Sequence, residues 1–352
     1  MSALHDALIA LVEGRSLTDA GAEAAIGEIM DGAPDSIVGA FLVALKIKIA
    51  EAAELAGGVR AMLTRARPLN LRDREVLDTC GTGGDGADTF NISTGAALIA
   101  AAAGVPVAKH GNRAISGKVG TADVLEAFGV KVDCDPEGLA RCLDDAGCCL
   151  IFAPAYHPGF ARLAPLRREL KIRTIFNLMG SIGNPARPRY HLLGVAEDNL
   201  IMPMAHALKA LGTRRAMVVR GSDGIDEISI SGPTRVAELR EDGKIIEYMI
   251  TPESLGVSRS DRRVLMIDNL DDAMRMLRSA LDGGHGPAQD VLALNGGAAI
   301  YVGGKCASLR EGVELAREII ASSRALEVID KMRLASKAKV AKEIPGAITK
   351  LQ

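Results

Sequence analysis

The sequence predicts an α/β fold in which a small N-terminal all-helical domain is hinged to a larger α/β domain with a mainly parallel central sheet. Three observations carry this. Up to Ala66 apolar side chains recur only at helical spacing; from Arg74 onward short apolar runs alternate with helical stretches. The 352 residues are 48% hydrophobic but hold no Trp, four Tyr and six Phe, with 38 Gly. A core of Ala, Val, Leu and Ile suits closely packed helices and tight loops, whereas all-β sandwiches and base-stacking platforms draw on aromatics. The length favours two domains, placed at residues 1–68 and 69–352, with a helical segment near 164–190 joining them.

Leu4, Leu8, Leu11 and Val12 form the first apolar stripe. Thr18 caps a second helix over Asp19 to Met30, Ser36 to Ile49 form a third, and Ala52 to Arg65 a fourth, closed by Pro68. Val76-Leu77 reads as a short buried strand; a Gly-rich loop, an Ala-rich helix from Ser93 to Ala103 and the strand Val105 to Ala108 complete a βαβ unit. Helices follow at Thr121 to Phe128 and Pro136 to Ala146, then the strand Cys148 to Phe152, a helical segment near Asp198 to Leu211 and the strand Ala216 to Val219. After Asp226 the pattern turns β-type in Ile228-Ser229-Ile230, Thr234 to Leu239 and Ile245 to Ile250, with Asp242-Gly243 as a turn, which adds antiparallel strands to one sheet edge. Helices resume at Leu270 to Leu281, Gln289 to Tyr301 and Leu309 to Ser322, and a last one runs to Arg333 or beyond.

Lys plus Arg number 42 against 44 Asp plus Glu, a formal net charge of -2, so no overall basic field draws nucleic acid or anionic membrane. The basic end, with Lys331, Arg333, Lys337, Lys339, Lys342 and Lys350 against Glu343 alone, reads as a solvated final helix. Cysteines at 80, 134, 142, 148, 149 and 306 include no C-x-x-C pair and read as reduced thiols. Met1 to Asp6 lack a signal peptide's basic start, and the longest apolar run, Ala96 to Ala108, is broken by Gly104 and Pro106. The expected location is the cytoplasm.

Residues 78–95 read Asp-Thr-Cys-Gly-Thr-Gly-Gly-Asp-Gly-Ala-Asp-Thr-Phe-Asn-Ile-Ser-Thr-Gly, between a strand and a helix. Glycines there let backbone N–H groups converge on phosphate oxygens, and the orphan N–H groups of the helix opened by Asn91, Ser93 and Thr94 face the same space. Gly81, Gly83 and Gly86 match a dinucleotide fingerprint literally. The helix starts too late for it, however, the second strand ends in Lys109-His110 without an acid for ribose hydroxyls, and Asp85 stands where a pyrophosphate should approach. No Gly-Lys-Ser/Thr follows, which removes the P-loop as well. The segment Lys109-His110-Gly111-Asn112-Arg113-Ala114-Ile115-Ser116 follows the second strand and so shares the carboxyl edge of a parallel sheet with the glycine loop. Together the two loops make a site for a highly phosphorylated ligand.

With Gly81-Thr82-Gly83-Gly84-Asp85, Asn91-Ile92-Ser93-Thr94-Gly95 and Lys109-His110-Gly111-Asn112-Arg113 in that order and spacing, the chain resembles the anthranilate phosphoribosyltransferase family. Arg173-Thr174-Ile175-Phe176-Asn177-Leu178, Asn184-Pro185-Ala186 and Asp223-Gly224-Ile225-Asp226-Glu227 continue the likeness, which runs to the neighbourhood of Asp330. The resemblance implies the nucleoside phosphorylase/phosphoribosyltransferase class fold. It implies transfer of the 5-phosphoribosyl group of 5-phosphoribosyl 1-diphosphate (PRPP) to the amino group of anthranilate, with release of diphosphate, in tryptophan biosynthesis.

By the same resemblance, Gly81, Gly84, Asp85, Thr89, Asn91, Ile92, Ser93, Thr94 and Thr121 contact PRPP, and Lys109, His110, Gly111, Asn112, Arg113, Ala114, Ile115, Ser116 and Gly117 form a mobile loop over its diphosphate. Gly81, Asn112 and Arg167 bind anthranilate, since a guanidinium holds a carboxylate by two parallel hydrogen bonds. Ser93, Asp226 and Glu227 are implied Mg²⁺ ligands; adjacent carboxylates share one ion only from a loop, and Gly224 allows one. No side chain is assigned a catalytic proton transfer: positioning and charge stabilisation are implied, chiefly by Lys109 as a flexible cation. The family dimerises through its helical domain, and the apolar stripe at 36–49 is the candidate interface; no nucleic-acid or membrane partner is expected. Departures from the family pattern fall at Tyr156, Ser181, Arg220, Gly117 and Thr121. The scarcity of aromatics tells against an aromatic stacking cage for anthranilate and shifts weight to Arg167, Asn112 and shape. The alternatives are a pyrimidine nucleoside phosphorylase-like enzyme, whose Lys-His-Ser-Thr-Gly-Gly type motif is absent, and a non-catalytic nucleic-acid-binding relative, which the net charge opposes.

Overall fold

Four helices open the chain in the computed structural model, which describes residues 2–72, 74–114 and 117–338. They are α1 (Ala3–Val12), α2 (Asp19–Asp31), α3 (Asp35–Lys48) and α4 (Ala52–Thr64). The Ser2 and Thr18 hydroxyls cap α1 and α2 by accepting from the amides of His5 and Gly21. Glu54 is fully buried, yet its carboxylate accepts from Leu17 N at 2.9 Å and pairs with Lys48 at 3.1 Å, so the α1–α2 and α3–α4 connections are tied to one charge.

The α/β part follows in the order β1 (Leu77–Gly81), α5 (Ile92–Ala102), β2 (Val107–Gly111), α6 (Thr121–Ala127), α7 (Pro136–Ala146), β3 (Cys148–Phe152), α8 (Ala153–Tyr156), α9 (Gly159–Leu170) and α10 (Ile175–Ile182). Then come β4 (Tyr190–Gly194), α11 (Ile201–Ala210), β5 (Arg215–Gly221), β6 (Thr234–Leu239), β7 (Ile245–Ile250), α12 (Leu270–Leu281), α13 (Pro287–Val302), α14 (Leu309–Ala321) and α15 (Arg324–Lys337). The strands form one sheet ordered β3-β2-β1-β4-β5-β6-β7, parallel from β3 to β5, with β6 and β7 antiparallel at the edge.

Alternation along the strands divides the core. Leu192, Met217 and Val219 face a layer built from α5 and α12–α15, while Leu193, Ala216 and Val218 face α10, α11 and the N-terminal helices. Because α9 and α10 share the second core with α1–α4, the helical layer is built from two separated stretches of chain.

Several sequence expectations need correction. Tyr190–Gly194 is a central strand that the sequence pattern does not reveal: five residues, with His191 to Gly194 buried, carry no alternation to set them apart from a helix flank. Ile228-Ser229-Ile230 is not a strand. Asn295 on α13 takes both polar groups of Ile228, accepting from its N and donating to its O, and Ser229 N donates to the Thr234 hydroxyl, so the segment has no strand neighbour. Lys109 to Gly111 belong to β2 rather than to a loop. Lys331, Arg333 and Lys337 lie in α15; Lys339, Lys342, Glu343 and Lys350 lie outside the described residues. Among the described residues no helix is long and apolar enough to cross a membrane.

Candidate active site

In the strand order, β1 lies between β2 and β4, so the connections leaving it and entering β4 run to opposite sides of the sheet. Such a switch point opens a crevice at the carboxyl ends of the strands. A cleft of about 610 Å³ lies there. Gly83, Gly84 and Gly86 have φ of 62°, 76° and 67°, a region that suits glycine, and they turn the β1 loop back on itself before α5. The Arg173 guanidinium, just before α10, donates to the carbonyls of Gly83 and Thr82 and holds that turn.

Acidic groups converge below it. Gly83 N donates to Asp226 Oδ2 at 2.7 Å, and a Cβ on Gly81 or Gly194 would collide with Asp226. The bare ends of β1 and β4 therefore let the loop after β5 approach. Burial first, then Asp85, pushes the Asp226 carboxyl up to about 7. Burial and then Asp226 push Glu227 well above the usual carboxylate range. Lys109 is 3% exposed; its ammonium donates to the Thr79 carbonyl and to Ser93 Oγ at 3.2 Å, and it faces Glu227. It is therefore a fixed cation at the base of the site, not a flexible one: the aliphatic stem of a strand residue is walled in by its neighbours.

The other end of the cleft is aromatic. His110 and His157 stand 5.2 Å apart edge to face, His157 and Phe160 5.8 Å, Phe160 and Phe176 5.4 Å, and all four line the cleft. The scarcity of aromatics did not lead one to expect this wall, because whole-chain composition does not report where a few rings gather. Burial pushes His110 down to about 3 and His157 to about 4, so both rings are neutral. Arg167 sits with its Cζ 5.9 Å from the Phe160 ring centre and has no carboxylate partner among the described residues; burial pulls its pKa down.

Gly81, Gly84, Asp85, Thr89, Asn91, Ser93, Lys109, His110, Gly111, Asn112, Arg113, Ala114, Gly117, Thr121, Arg167, Asp226 and Glu227 all line this cleft. Ile92 and Thr94 do not. The Ile92 side chain is in the core and its amide donates to Phe90 O, while the Thr94 hydroxyl bonds that of Thr121 at 3.2 Å. Ile115 and Ser116 lie outside the described residues. Arg113 is engaged by Asp123 and Glu126, at 3.1 and 2.8 Å. Tyr156 is 1% exposed, with its hydroxyl on Cys134 O at 3.0 Å, and Arg220 donates to Ala196 O; neither lines the cleft, whereas Ser181 does. Sequence reasoning gave no role to Arg173, Gly194, Phe160 or Phe176. Arg173 and Phe176 stand in a quoted motif, but nothing local marks Gly194 or Phe160.

The helical-bundle domain model of the glycosyl transferase family matches residues 5–66, and the a/b domain model of that family matches residues 73–326. An anthranilate phosphoribosyltransferase of Symbiobacterium thermophilum is 47% identical over 92% of this chain and 95% of its own length. The chain belongs to the anthranilate phosphoribosyltransferase family. The crystal structure of the anthranilate phosphoribosyltransferase from Thermus thermophilus matches it with a TM-score of 0.90 at 40% identity, covering 96% of this chain and all of that one. A Saccharomyces cerevisiae anthranilate phosphoribosyltransferase in complex with PRPP and Mg shares the fold, with a TM-score of 0.85 at 24% identity over 95% of this chain and 97% of that one. As an anthranilate phosphoribosyltransferase, the enzyme acts in tryptophan biosynthesis; neither the phosphorylase nor the nucleic-acid-binding alternative is favoured.

Proposed function

We propose that PRPP lies along the cleft with its diphosphate over the 81–86 turn and the Asn91–Ser93 end of α5, and that anthranilate occupies the aromatic end with its carboxylate on Arg167. One observation carries this: Arg167, a guanidinium without a carboxylate partner among the described residues, stands beside an aromatic wall in the same cleft as a phosphate-type glycine turn. Asn112 and the Gly81 backbone border the space between the two ends.

Mg²⁺ fits the acidic base of the cleft. Asp226 and Glu227, with Ser93 Oγ, offer the hard oxygen donors that this ion takes; burial first, and then a neighbouring carboxylate, raises the pKa of each acid. Bound there, the ion would neutralise charge on the departing diphosphate. The chain's own groups do the rest. The turn amides and Lys109 favour the leaving group's developing charge, and the walls hold the amine in line with the ribose anomeric carbon as an oxocarbenium-like transition state forms. His110 Nδ1 lies 3.0 Å from Gly180 O, which assigns that nitrogen as the donor and leaves Nε2, buried and without a partner, to accept a hydrogen from the acceptor amine. An aromatic amine loses its proton readily once the new bond exists, so a weak acceptor suffices.

The decisive experiment mixes the protein with PRPP, Mg²⁺ and anthranilate and follows the loss of anthranilate fluorescence. Consumption that stops with chelator and in the Asp226→Asn, Glu227→Gln double variant is expected; consumption indifferent to both sinks the metal assignment. The six unpaired cysteines fit a reducing, cytoplasmic setting, and exposed Val12, Ile47 and Ile49 on the helical layer fit a homodimer interface.

A further inference from the structure

We propose that Asp78, Cys80 and His191 form a second metal site, separate from the acidic cluster at Asp226 and Glu227, that takes a zinc-type transition-metal dication. Asp78 and Cys80 are two residues apart on β1 and so point to one face of the sheet, and His191 pairs with Asp78 in register on β4. One ligand atom from each lies within 4.8 Å of the other two. Around a tetrahedral zinc such atoms sit roughly 3.3–3.8 Å apart, a contraction of about 1 Å that side-chain rotation supplies.

Three features mark the cluster as more than a chance of packing. His191 is 1% exposed and, among the described residues, neither ring nitrogen has a partner in hydrogen-bond geometry, the Ser181 carbonyl being only a neighbour, an arrangement that costs stability unless a ligand uses it. The Asp78 carboxylate is held by groups outside the cluster: the His110 amide donates to Oδ1 at 3.0 Å and Asn184 Nδ2 to Oδ2 at 2.9 Å, which is how protein ligands are oriented around a metal. A cavity of about 290 Å³ between α4 and α11 reaches His191 and Asn184 and has the exposed Arg187 at its rim, so an ion has a route in.

The donor set decides the class of ion. A thiolate, an imidazole and one carboxylate suit zinc or cobalt, whereas the hydroxyl and carboxylates of Ser93, Asp226 and Glu227 suit magnesium. Without a metal, burial holds the Cys80 thiol protonated and the His191 ring neutral. Capture replaces the thiol proton, which leaves to solvent, and breaks the 3.0 Å hydrogen bond from Cys80 to Ser181 O. Thiolate and carboxylate then balance the dication, so the buried assembly carries no net charge.

The test uses full-length, reduced, metal-free protein titrated with Co²⁺ and then with Zn²⁺. The expected result is a thiolate-to-cobalt charge-transfer absorption that saturates at one ion per chain, disappears when zinc is added, and is absent from Cys80→Ala. His191→Gln, a polar side chain of similar reach without the imidazole, is expected to weaken zinc by about 10–100-fold or more. Asp226→Asn is expected to keep the absorption. Anomalous scattering from a zinc-soaked crystal locates the ion between β1 and β4 independently of whether either variant folds. Absorption that survives in Cys80→Ala, zinc affinity unchanged in a folded His191→Gln, or no anomalous peak at the site overturns the proposal.

Discussion

Replacing Arg167 by Ala removes the cation proposed above to hold the acceptor's carboxylate. A hydrogen bond to a charged group contributes about 1.5–3 kcal/mol, so a two-pronged contact is worth about 3–6 kcal/mol. The cleft is open, and water in the vacated space offsets part of this, leaving a loss of about 2–4 kcal/mol by the same scale. At about 1.4 kcal/mol per tenfold, kcat/KM for anthranilate should fall about 30- to 1,000-fold. Arg167→Lys keeps a charge without the fork and should fall about tenfold. Because the guanidinium is desolvated without an internal carboxylate partner, its loss should not lower the thermal midpoint. The assay is steady-state fluorescence with each substrate varied in turn. At saturating anthranilate, kcat/KM for PRPP should move less than about threefold. An unchanged anthranilate KM, or a loss felt equally by PRPP, would refute the assignment of Arg167 to the acceptor.

The buried acids give a pH signature. Both carboxyls have raised pKa values in the folded chain, so the folded state binds more protons than the unfolded one; the associated stability is present below the ordinary carboxylate range and is lost as pH rises through about 7 for Asp226. Metal-free protein should therefore lose thermal stability from pH 5 to 8, Asp226→Asn should flatten that slope, and Mg²⁺ should stabilise the wild type more at pH 8 than at pH 5; equal slopes in calorimetry would contradict this. Gly194→Ala drives a Cβ into the Asp226 backbone, which cannot yield as a side-chain tip can, so denaturant unfolding should show about 1–3 kcal/mol of lost stability together with weaker Mg²⁺ dependence. Arg173→Met frees the carbonyls of Gly83 and Thr82 and should raise the PRPP KM roughly 5- to 30-fold, for about 1–2 kcal/mol of hydrogen bonding, with little change for anthranilate. Ile47→Asp, at a position 78% exposed, should yield a monomer in light scattering against the dimer proposed for the wild type; identical masses would remove that interface.

What was legible in the sequence was local. Helical periods in residues 4–65 and 270–333 read correctly because an amphipathic helix records its buried face at fixed spacing. That the glycine turn and the Lys109 segment share one cleft was legible because both follow neighbouring parallel strands, whose carboxyl ends lie at one sheet edge. The acidic pair also read as a loop feature, since adjacent carboxylates share one ion only from a loop and Gly224, at φ 92°, allows the turn.

Tertiary structure decided the rest, for one physical reason: close approach between distant segments leaves no period in either. Gly194 matters only because Asp226 comes against it, and β4 becomes a central strand only because β1 and β5 flank it. Phe160 and Phe176, on different helices, meet in one wall with two histidines in a chain that is otherwise poor in aromatics. The sequence by itself determined which strand ends carry the glycine turn and the acidic pair that line the cleft. The fold decided that Lys109 is walled in as a fixed charge, that Arg113 is engaged by Asp123 and Glu126, and that Arg167 lines the cleft with no carboxylate partner among the described residues, because burial and pairing depend on which neighbours surround a charge.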